Sequence, residues 1–137
     1  MRVGTPPVLA MAALDAALDI WDNVDMDALR SRSIELTELF INEVEQRCNG
    51  VELASPRDPQ QRGSQVSFRH PQGYAVMQAL IADGVIGDFR APDIMRFGFT
   101  PLFIDERDVI GAAERLQKIL DERLWDAPEY HRRNAVT

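Results

Sequence analysis

The chain has 137 residues, of which 45% are hydrophobic and 27% are charged, and its formal net charge is −7. This composition is typical of one soluble globular domain, and a chain of this length buries roughly 70% of the surface of its unfolded state. The acidic balance and the lack of a basic stripe argue against a nucleic-acid partner. No apolar run approaches the roughly 18 residues that a membrane helix needs, so no membrane partner is predicted.

Cys48 is the only cysteine in the sequence. A single cysteine cannot form an internal disulfide, and it fits a reducing compartment. Because Cys48 ends an apolar helical stripe, we interpret it as a buried structural thiol and not as a nucleophile. The first residues, MRVGTPP, contain no apolar signal region. These features predict a cytoplasmic protein.

The first predicted element is a helix that opens at Gly4-Thr5-Pro6-Pro7 and runs to about Asp22. Thr5 can cap this helix, and a proline in its first turn has no amide hydrogen to leave unpaired. The polar stripe consists of three aspartates, and nearly all the other residues are apolar. A helix this apolar around its circumference is expected to pack on more than one side.

Asp25 is predicted to cap a second helix that ends near Asn49-Gly50. The later elements are two strands, a helix, two strands and a last helix: 51–54, 64–69, 74–82, 85–89, 94–99 and 105–125. The strands at 85–89 and 94–99 are joined by a four-residue hairpin-like loop, Arg90-Ala91-Pro92-Asp93. This order predicts an α+β two-layer sandwich, with a small, mainly antiparallel sheet and helices over one face.

The sequence contains few candidates for catalysis or metal binding. Paired carboxylates lie on solvated helix faces, and the two histidines, His70 and His131, have no spacing that makes a metal site with Cys48. No glycine-rich phosphate loop of the usual kinds is present. We therefore predict no catalytic residue and no metal ligand in this chain.

Arg96 is the one charged residue in the apolar run IMRFGF. Strand alternation places Met95, Phe97 and Phe99 on the core face and Arg96 with Gly98 on the opposite face. One interpretation is an ordinary arginine on an open sheet face. The other is a planar guanidinium held on a rigid strand, which suits a bidentate grip on a carboxylate.

Three segments, RVGTPPVLAM, RGSQVSF and VIGDFRAPDIMRFGFTPLF, resemble kynureninase. The resemblance covers essentially the whole chain and corresponds to the C-terminal portion of that family: a small domain and the helix leading into it. It implies residues 1–24 as an inter-domain helix, 25–126 as the small domain and 127–137 as a tail. It also implies that the chain is the small domain of a fold-type I enzyme that is cytoplasmic and homodimeric and depends on pyridoxal phosphate (PLP).

The resemblance implies a hydrolase of tryptophan catabolism that cleaves L-kynurenine to anthranilate and L-alanine. Arg96, in MRFGF, matches the arginine that binds the α-carboxylate of the substrate, which would leave its charge paired only when the site is occupied. Thr5, in GTPP, matches a residue at the cofactor phosphate that reaches across the dimer interface. A plain helix cap is the alternative role for Thr5.

PLP chemistry of this kind needs a lysine that forms a Schiff base. The only lysine in the sequence is Lys118, which the helical pattern places on the solvent side of the last helix. In the family, the lysine that forms the Schiff base belongs to the large domain. We therefore expect no covalent cofactor and no turnover of kynurenine by this polypeptide alone, and we expect the first helix to promote self-association.

Two alternatives remain open from the residues. The chain is either the C-terminal domain of a kynureninase or a free-standing module, derived from such an enzyme, that binds a carboxylate or a large-domain partner without catalysis. An upstream reading frame with the large domain would distinguish them. Other fold-type I relatives, such as a cysteine desulfurase or a class V aminotransferase, share part of the pattern, but the GDFRAPD run favours kynureninase.

Overall fold

The computed structural model describes residues 7–132 as four helices and a four-stranded sheet. In chain order these are α1 (Val8–Leu18), α2 (Met26–Arg47), β1 (Glu52–Leu53), β2 (Gln65–Arg69), α3 (Gly73–Ala82), β3 (Asp88–Arg90), β4 (Ile94–Gly98) and α4 (Glu106–Asp121). Short 3-10 helices follow α1, precede β2 and follow α4. The order of helices and strands is the one that the sequence predicts.

The sheet is antiparallel throughout, with the strand order β1-β2-β4-β3. Its apolar face joins residues of α2, α3 and α4 in one core, in which Val66, Phe68 and Met95 are fully buried. The alternation of β4 is as predicted, because Met95 and Phe97 are buried and Gly98 is exposed. The α+β sandwich with helices over one face is thereby confirmed.

Helix α2 begins where an aspartate provides a cap. The side chain of Asp25 accepts hydrogen bonds from the amides of Asp27 and Ala28, at 2.9 and 3.1 Å, as the sequence predicts. The chain turns away at Gly50, three residues after the end of the helix, where a φ of +80° favours glycine. Phe40, on the buried side of α2, contacts the rings of aromatic residues in β2 and β4.

Helix α4 begins as predicted and ends earlier than predicted. Asp105 and Asp108 form a capping box, in which each side chain accepts a hydrogen bond from the backbone amide of the other residue. The sequence predicted a helix to about Trp125, but α4 ends at Asp121 because Arg123 adopts a left-handed conformation with φ +52°. Trp125 then lies in a 3-10 turn, with its ring near His70.

The turn of the hairpin that carries Arg96 is one residue shorter than predicted. The strand predicted at 85–89 is β3, Asp88–Arg90, so Arg90 belongs to the strand and the connecting turn contains only residues 91–93. Residues 85–87 stay out of the sheet, and the amide of Val85 donates to the carbonyl of Leu80 at the end of α3. This register sets which residue faces Arg96.

Helix α1 projects its apolar side chains into solvent. None of its residues is buried, and Leu9 and Leu14 are 87% and 60% exposed. Packing on more than one side is therefore not observed within the described residues. Pro7 is the residue at the N-cap of α1 and does not lie within the first turn, so the prediction for this proline is wrong. Thr5 itself lies outside the described residues.

We expect this polypeptide to self-associate through α1, because removing apolar helix surface from water stabilises an assembly by roughly 25 cal/mol per Å². Size-exclusion chromatography should show an apparent mass above the 15.5 kDa of one chain, rising with concentration. Leu9→Glu together with Leu14→Glu should restore the monomer. Ile86→Glu is the control, since Ile86 is 86% exposed but lies far along the chain from α1. A monomer at high concentration would contradict this prediction.

Candidate functional site

Arg96 lies at the middle of β4, on the face of the sheet opposite the helices. Its neighbours across the two flanking strands are Ser67 in β2 and Asp88 in β3. The side chain is 27% exposed, so part of it is accessible to solvent, although its Nε is buried. The rigid strand therefore presents a guanidinium on an open polar surface, as the alternation of the sequence predicts.

Asp88 is the charged partner of Arg96 in the structure. Nη2 of Arg96 donates a hydrogen bond to Oδ2 of Asp88, directly across the β3–β4 pair. This bond is the main cause that holds the pKa of the Asp88 carboxyl below its ordinary value, and the charge of Arg90 adds to it. The expectation that Arg96 is paired only when a ligand is bound is therefore wrong.

The hydrogen-bonding capacity of Arg96 is only partly used. Its Nε is buried and has no hydrogen-bond partner among the described residues. A buried N–H without a partner is unfavourable by roughly 1–3 kcal/mol. A carboxylate that reached Nε would relieve this and would gain a second bond to the same planar group. The guanidinium is thus held by one carboxylate oxygen, and its Nε has no acceptor among the described residues.

Arg62 shows what a purely structural arginine looks like in this fold. Its Nε also lacks a partner within residues 7–132, but its side chain is only 3% exposed. Its Nη1 donates to the carbonyls of Pro56 and Arg57, at 3.0 and 2.6 Å, and its Nη2 donates to Glu38. Arg62 therefore ties the 55–63 loop to α2. Arg96 is more exposed, and in the part of the chain that the structure describes its side chain hydrogen-bonds to Asp88 and not to a loop carbonyl.

The polar face around Arg96 carries charges of both signs. Arg90, 65% exposed, lies on the same face as Asp88, and its Nη2 is 3.5 Å from Oδ2 of that aspartate. Arg69 in β2 lies two residues beyond Ser67 on this face, opposite Glu52 in β1. Arg90 and Arg96 therefore both lie beside the same carboxylate oxygen of Asp88.

A groove of about 810 Å³ opens beside the end of β4, but Arg96 does not line it. Its wall is mostly apolar and includes the exposed side chains of Ile86 and Phe103, with Arg107 and Arg115 at its edge. The site that the sequence predicts is therefore an open sheet face and not this groove. A flat face of this kind needs a second surface opposite it to enclose a small ligand.

The other residues considered from the sequence do not join Arg96. Lys118 is exposed on α4, as predicted. Cys48 is buried, and burial raises the pKa of its thiol to about 11, which keeps it protonated and poorly nucleophilic at neutral pH. Between residues 7 and 132 no group of three or more histidine, cysteine or acidic side chains is placed to hold a metal, and no helix is long and apolar enough to span a membrane.

Gly87 keeps β3 close to the backbone of Arg96. A Cβ atom at this position would lie 2.8 Å from the Arg96 carbonyl oxygen and 2.7 Å from the Met77 sulfur. We expect Gly87→Ala to lower the free energy of unfolding by about 1–3 kcal/mol, because the strand backbone must shift. Urea denaturation measures the change. Gly111→Ala is the control, since a Cβ there meets nothing within 4 Å and alanine favours the helix. Equal midpoints for the two variants would contradict this reasoning.

Asp88 and Arg90 are the site residues that sequence analysis missed. The available signal was the hairpin itself, since strand pairing places the residues flanking a turn opposite one another. A four-residue loop pairs Gly87 with Arg96, whereas the observed three-residue turn pairs Asp88 with it. A shift of one residue in the strand register therefore decides whether Arg96 faces an uncharged glycine or the carboxylate of Asp88.

A family model described as "Kynureninase C-terminal domain" matches residues 29–116. Kynureninases of Burkholderia mallei and Burkholderia pseudomallei are 52% identical over 136 residues, and one of Pseudomonas fluorescens is 49% identical over the same length. The alignments cover 98% of this chain and 33% of each relative, so the chain spans about a third of the length of the curated relatives it matches. The chain belongs to the kynureninase C-terminal domain family.

Proposed function

We propose that this chain is the C-terminal domain of a kynureninase and supplies the arginine that binds the substrate α-carboxylate. The reaction is the hydrolytic cleavage of L-kynurenine to anthranilate and L-alanine, with PLP as cofactor. Residues 1–24 serve as the helix between domains, 25–126 form the small domain and 127–137 are the tail. The single observation that carries the proposal is Arg96, which lies on a strand, has a partly exposed side chain and has an Nε without a partner among the described residues.

The chemistry of Arg96 fits this role. An α-carboxylate offers two oxygens, and a guanidinium can donate to both at once from one edge. Binding at this point fixes the amino-acid end of the substrate and leaves its aromatic ketone to be held elsewhere. In this scheme Arg96 binds and orients the substrate, and proton transfer and bond cleavage are left to other groups. Lysine could carry the charge but not the planar fork.

The described residues do not fit PLP as a covalently held group. The cofactor supplies an electron sink when a lysine amine holds it, and Lys118, the only lysine in the sequence, is exposed on α4. We propose that the lysine comes from a large PLP-binding domain, either in the same polypeptide or in a partner chain. On this view these 137 residues alone neither bind the cofactor covalently nor turn over L-kynurenine.

Thr5 and the dimer complete the proposal. Thr5 is the second residue of the GTPP segment, and we propose that its hydroxyl donates to the cofactor phosphate across the interface of a homodimer. Exposed apolar side chains on α1 support a contact with another domain or subunit, since patches of this kind mark interaction surfaces.

A domain replacement tests the proposed function. This chain would replace the matching third of the Burkholderia mallei kynureninase, to which it is 52% identical. We expect the chimera to bind PLP and cleave L-kynurenine, while the 137-residue chain with added PLP does neither. The parent enzyme is the positive control. A chimera that folds and binds PLP but shows no cleavage would contradict the proposal and would favour a free-standing carboxylate-binding module.

A further inference from the structure

Asp88 contacts two arginines with the same oxygen. Oδ2 accepts the hydrogen bond from Nη2 of Arg96 and lies 3.5 Å from Nη2 of Arg90. The carboxylate is 49% exposed and Arg90 is 65% exposed, so both groups can change position without disturbing the core. The aspartate therefore has a second cationic partner available whenever Arg96 is engaged by something else.

The contact between Asp88 and Arg96 is incomplete as a carboxylate–guanidinium pair. Nη2 is bound, whereas Nε of the same group is buried and unpartnered. A free carboxylate is not restricted by a strand, so it can satisfy both nitrogens in the bidentate arrangement that such groups prefer. A ligand can therefore bind Arg96 better than Asp88 does, provided that Asp88 gives up Nη2.

We propose that Asp88 is a built-in stand-in for the ligand carboxylate, which moves from Arg96 to Arg90 when the ligand binds. The proposal rests on the proposed function of Arg96 and adds a residue that sets how tightly the carboxylate binds. Without ligand, Asp88 keeps the guanidinium neutralised and correctly oriented. With ligand, Arg90 neutralises Asp88, so the incoming carboxylate does not face an unpaired negative charge in the same place.

The first test measures KM and kcat for L-kynurenine in the chimera described above. Asp88→Asn removes the competing charge and should lower KM about two- to fivefold with kcat little changed, because exposed ion pairs of this kind contribute modestly. Arg90→Gln removes the second partner of Asp88 and should raise KM by a similar factor. Arg69→Gln is the matched control, since it removes one positive charge from the same face without contacting Asp88.

The outcomes separate this proposal from the proposed function. If Arg96→Gln leaves KM unchanged, the proposed function fails. If Arg96→Gln raises KM but Asp88→Asn raises it or leaves it unchanged, Arg96 keeps its role and the stand-in proposal is wrong. If Arg90→Gln and Arg69→Gln have equal effects, the transfer of Asp88 to Arg90 is also wrong.

A second measurement needs no ligand and no chimera. Carbon-13 NMR of the 137-residue chain follows the pKa of the Asp88 carboxyl, which interaction with Arg96 holds below its ordinary value. In Arg96→Gln the pKa should stay low, because Arg90 takes over the carboxylate. In the double variant Arg90→Gln with Arg96→Gln it should return to the ordinary range. A full return in Arg96→Gln alone would overturn the proposal.

Discussion

Arg96→Ala in the chimera should lower kcat/KM for L-kynurenine roughly a hundredfold, with most of the loss in KM. A charge-assisted bidentate contact contributes about 3 kcal/mol, and each 1.4 kcal/mol corresponds to a factor of ten. Because the α-carboxylate lies away from the bond that breaks, its contact with Arg96 should be equally strong before and during the reaction. Loss of a contact that is equally strong in the ground state and in the transition state raises KM and leaves kcat nearly unchanged.

Two control variants make the Arg96 result specific. Arg96→Lys keeps a positive charge but loses the planar fork, so its kcat/KM should lie between those of the wild type and the alanine variant. Arg69→Ala removes a charge from the same sheet face, two residues beyond Ser67, and should change kcat/KM by less than about threefold. If Arg96→Ala resembled Arg69→Ala, Arg96 would be an ordinary surface arginine.

Phe40→Ala should lower the free energy of unfolding by about 3–5 kcal/mol, the range for removing a buried aromatic ring. The side chain is 1% exposed and contacts three rings, with centroid distances of 6.0 Å to Phe68, 4.9 Å to Phe97 and 5.3 Å to Phe99. It therefore joins α2 to the two central strands, directly behind the face that carries Arg96. Such a loss is a large fraction of the stability of a small domain.

Urea denaturation of the 137-residue chain, followed by circular dichroism, measures this effect as a shift of the unfolding midpoint. Phe103→Ala is the matched control, because Phe103 is 76% exposed and its removal should change stability by less than about 0.5 kcal/mol. Similar midpoints for the two variants would show that the packing around Phe40 does not hold the helices to the sheet.

The sequence predicted the fold because its local signals agree with one another. Capping aspartates at positions 25 and 105 mark the starts of the two long helices, and Gly50 and Gly84, both with positive φ, mark the turns after α2 and α3. Strict alternation around Phe68 and Met95 identifies one buried face of the sheet. These signals are local, so they are readable without knowledge of distant contacts.

The partners of Arg96 were not predicted because they depend on a turn length. The sequence Arg90-Ala91-Pro92-Asp93 is compatible with a four-residue loop. It is equally compatible with a three-residue turn, in which Arg90 belongs to the strand. Only the second register places Asp88 across from Arg96. Similarly, the end of α4 depends on the left-handed conformation of Arg123, which arginine adopts rarely and which no sequence pattern here signals.

Arg62 illustrates a second kind of limit. Its position in a polar loop gives no sign of burial, yet its side chain reaches back to Thr37 and Glu38 on α2. Contacts made by long side chains that tie a loop to a distant helix are set by tertiary structure, so the polar composition of the 55–63 segment does not signal this contact. The side chain of Arg96 is 27% exposed and that of Arg62 is 3% exposed, and this difference supports the binding role that we propose for Arg96.

The most direct measurement compares two ligands in the chimera, with Arg96 intact and with Arg96→Ala. One ligand is L-kynurenine, and the other is its analogue in which hydrogen replaces the α-carboxylate. If Arg96 holds the carboxylate, the intact chimera should bind L-kynurenine roughly a hundredfold more tightly than the analogue, and Arg96→Ala should remove nearly all of this preference. A preference that persists in Arg96→Ala would show that another group holds the carboxylate.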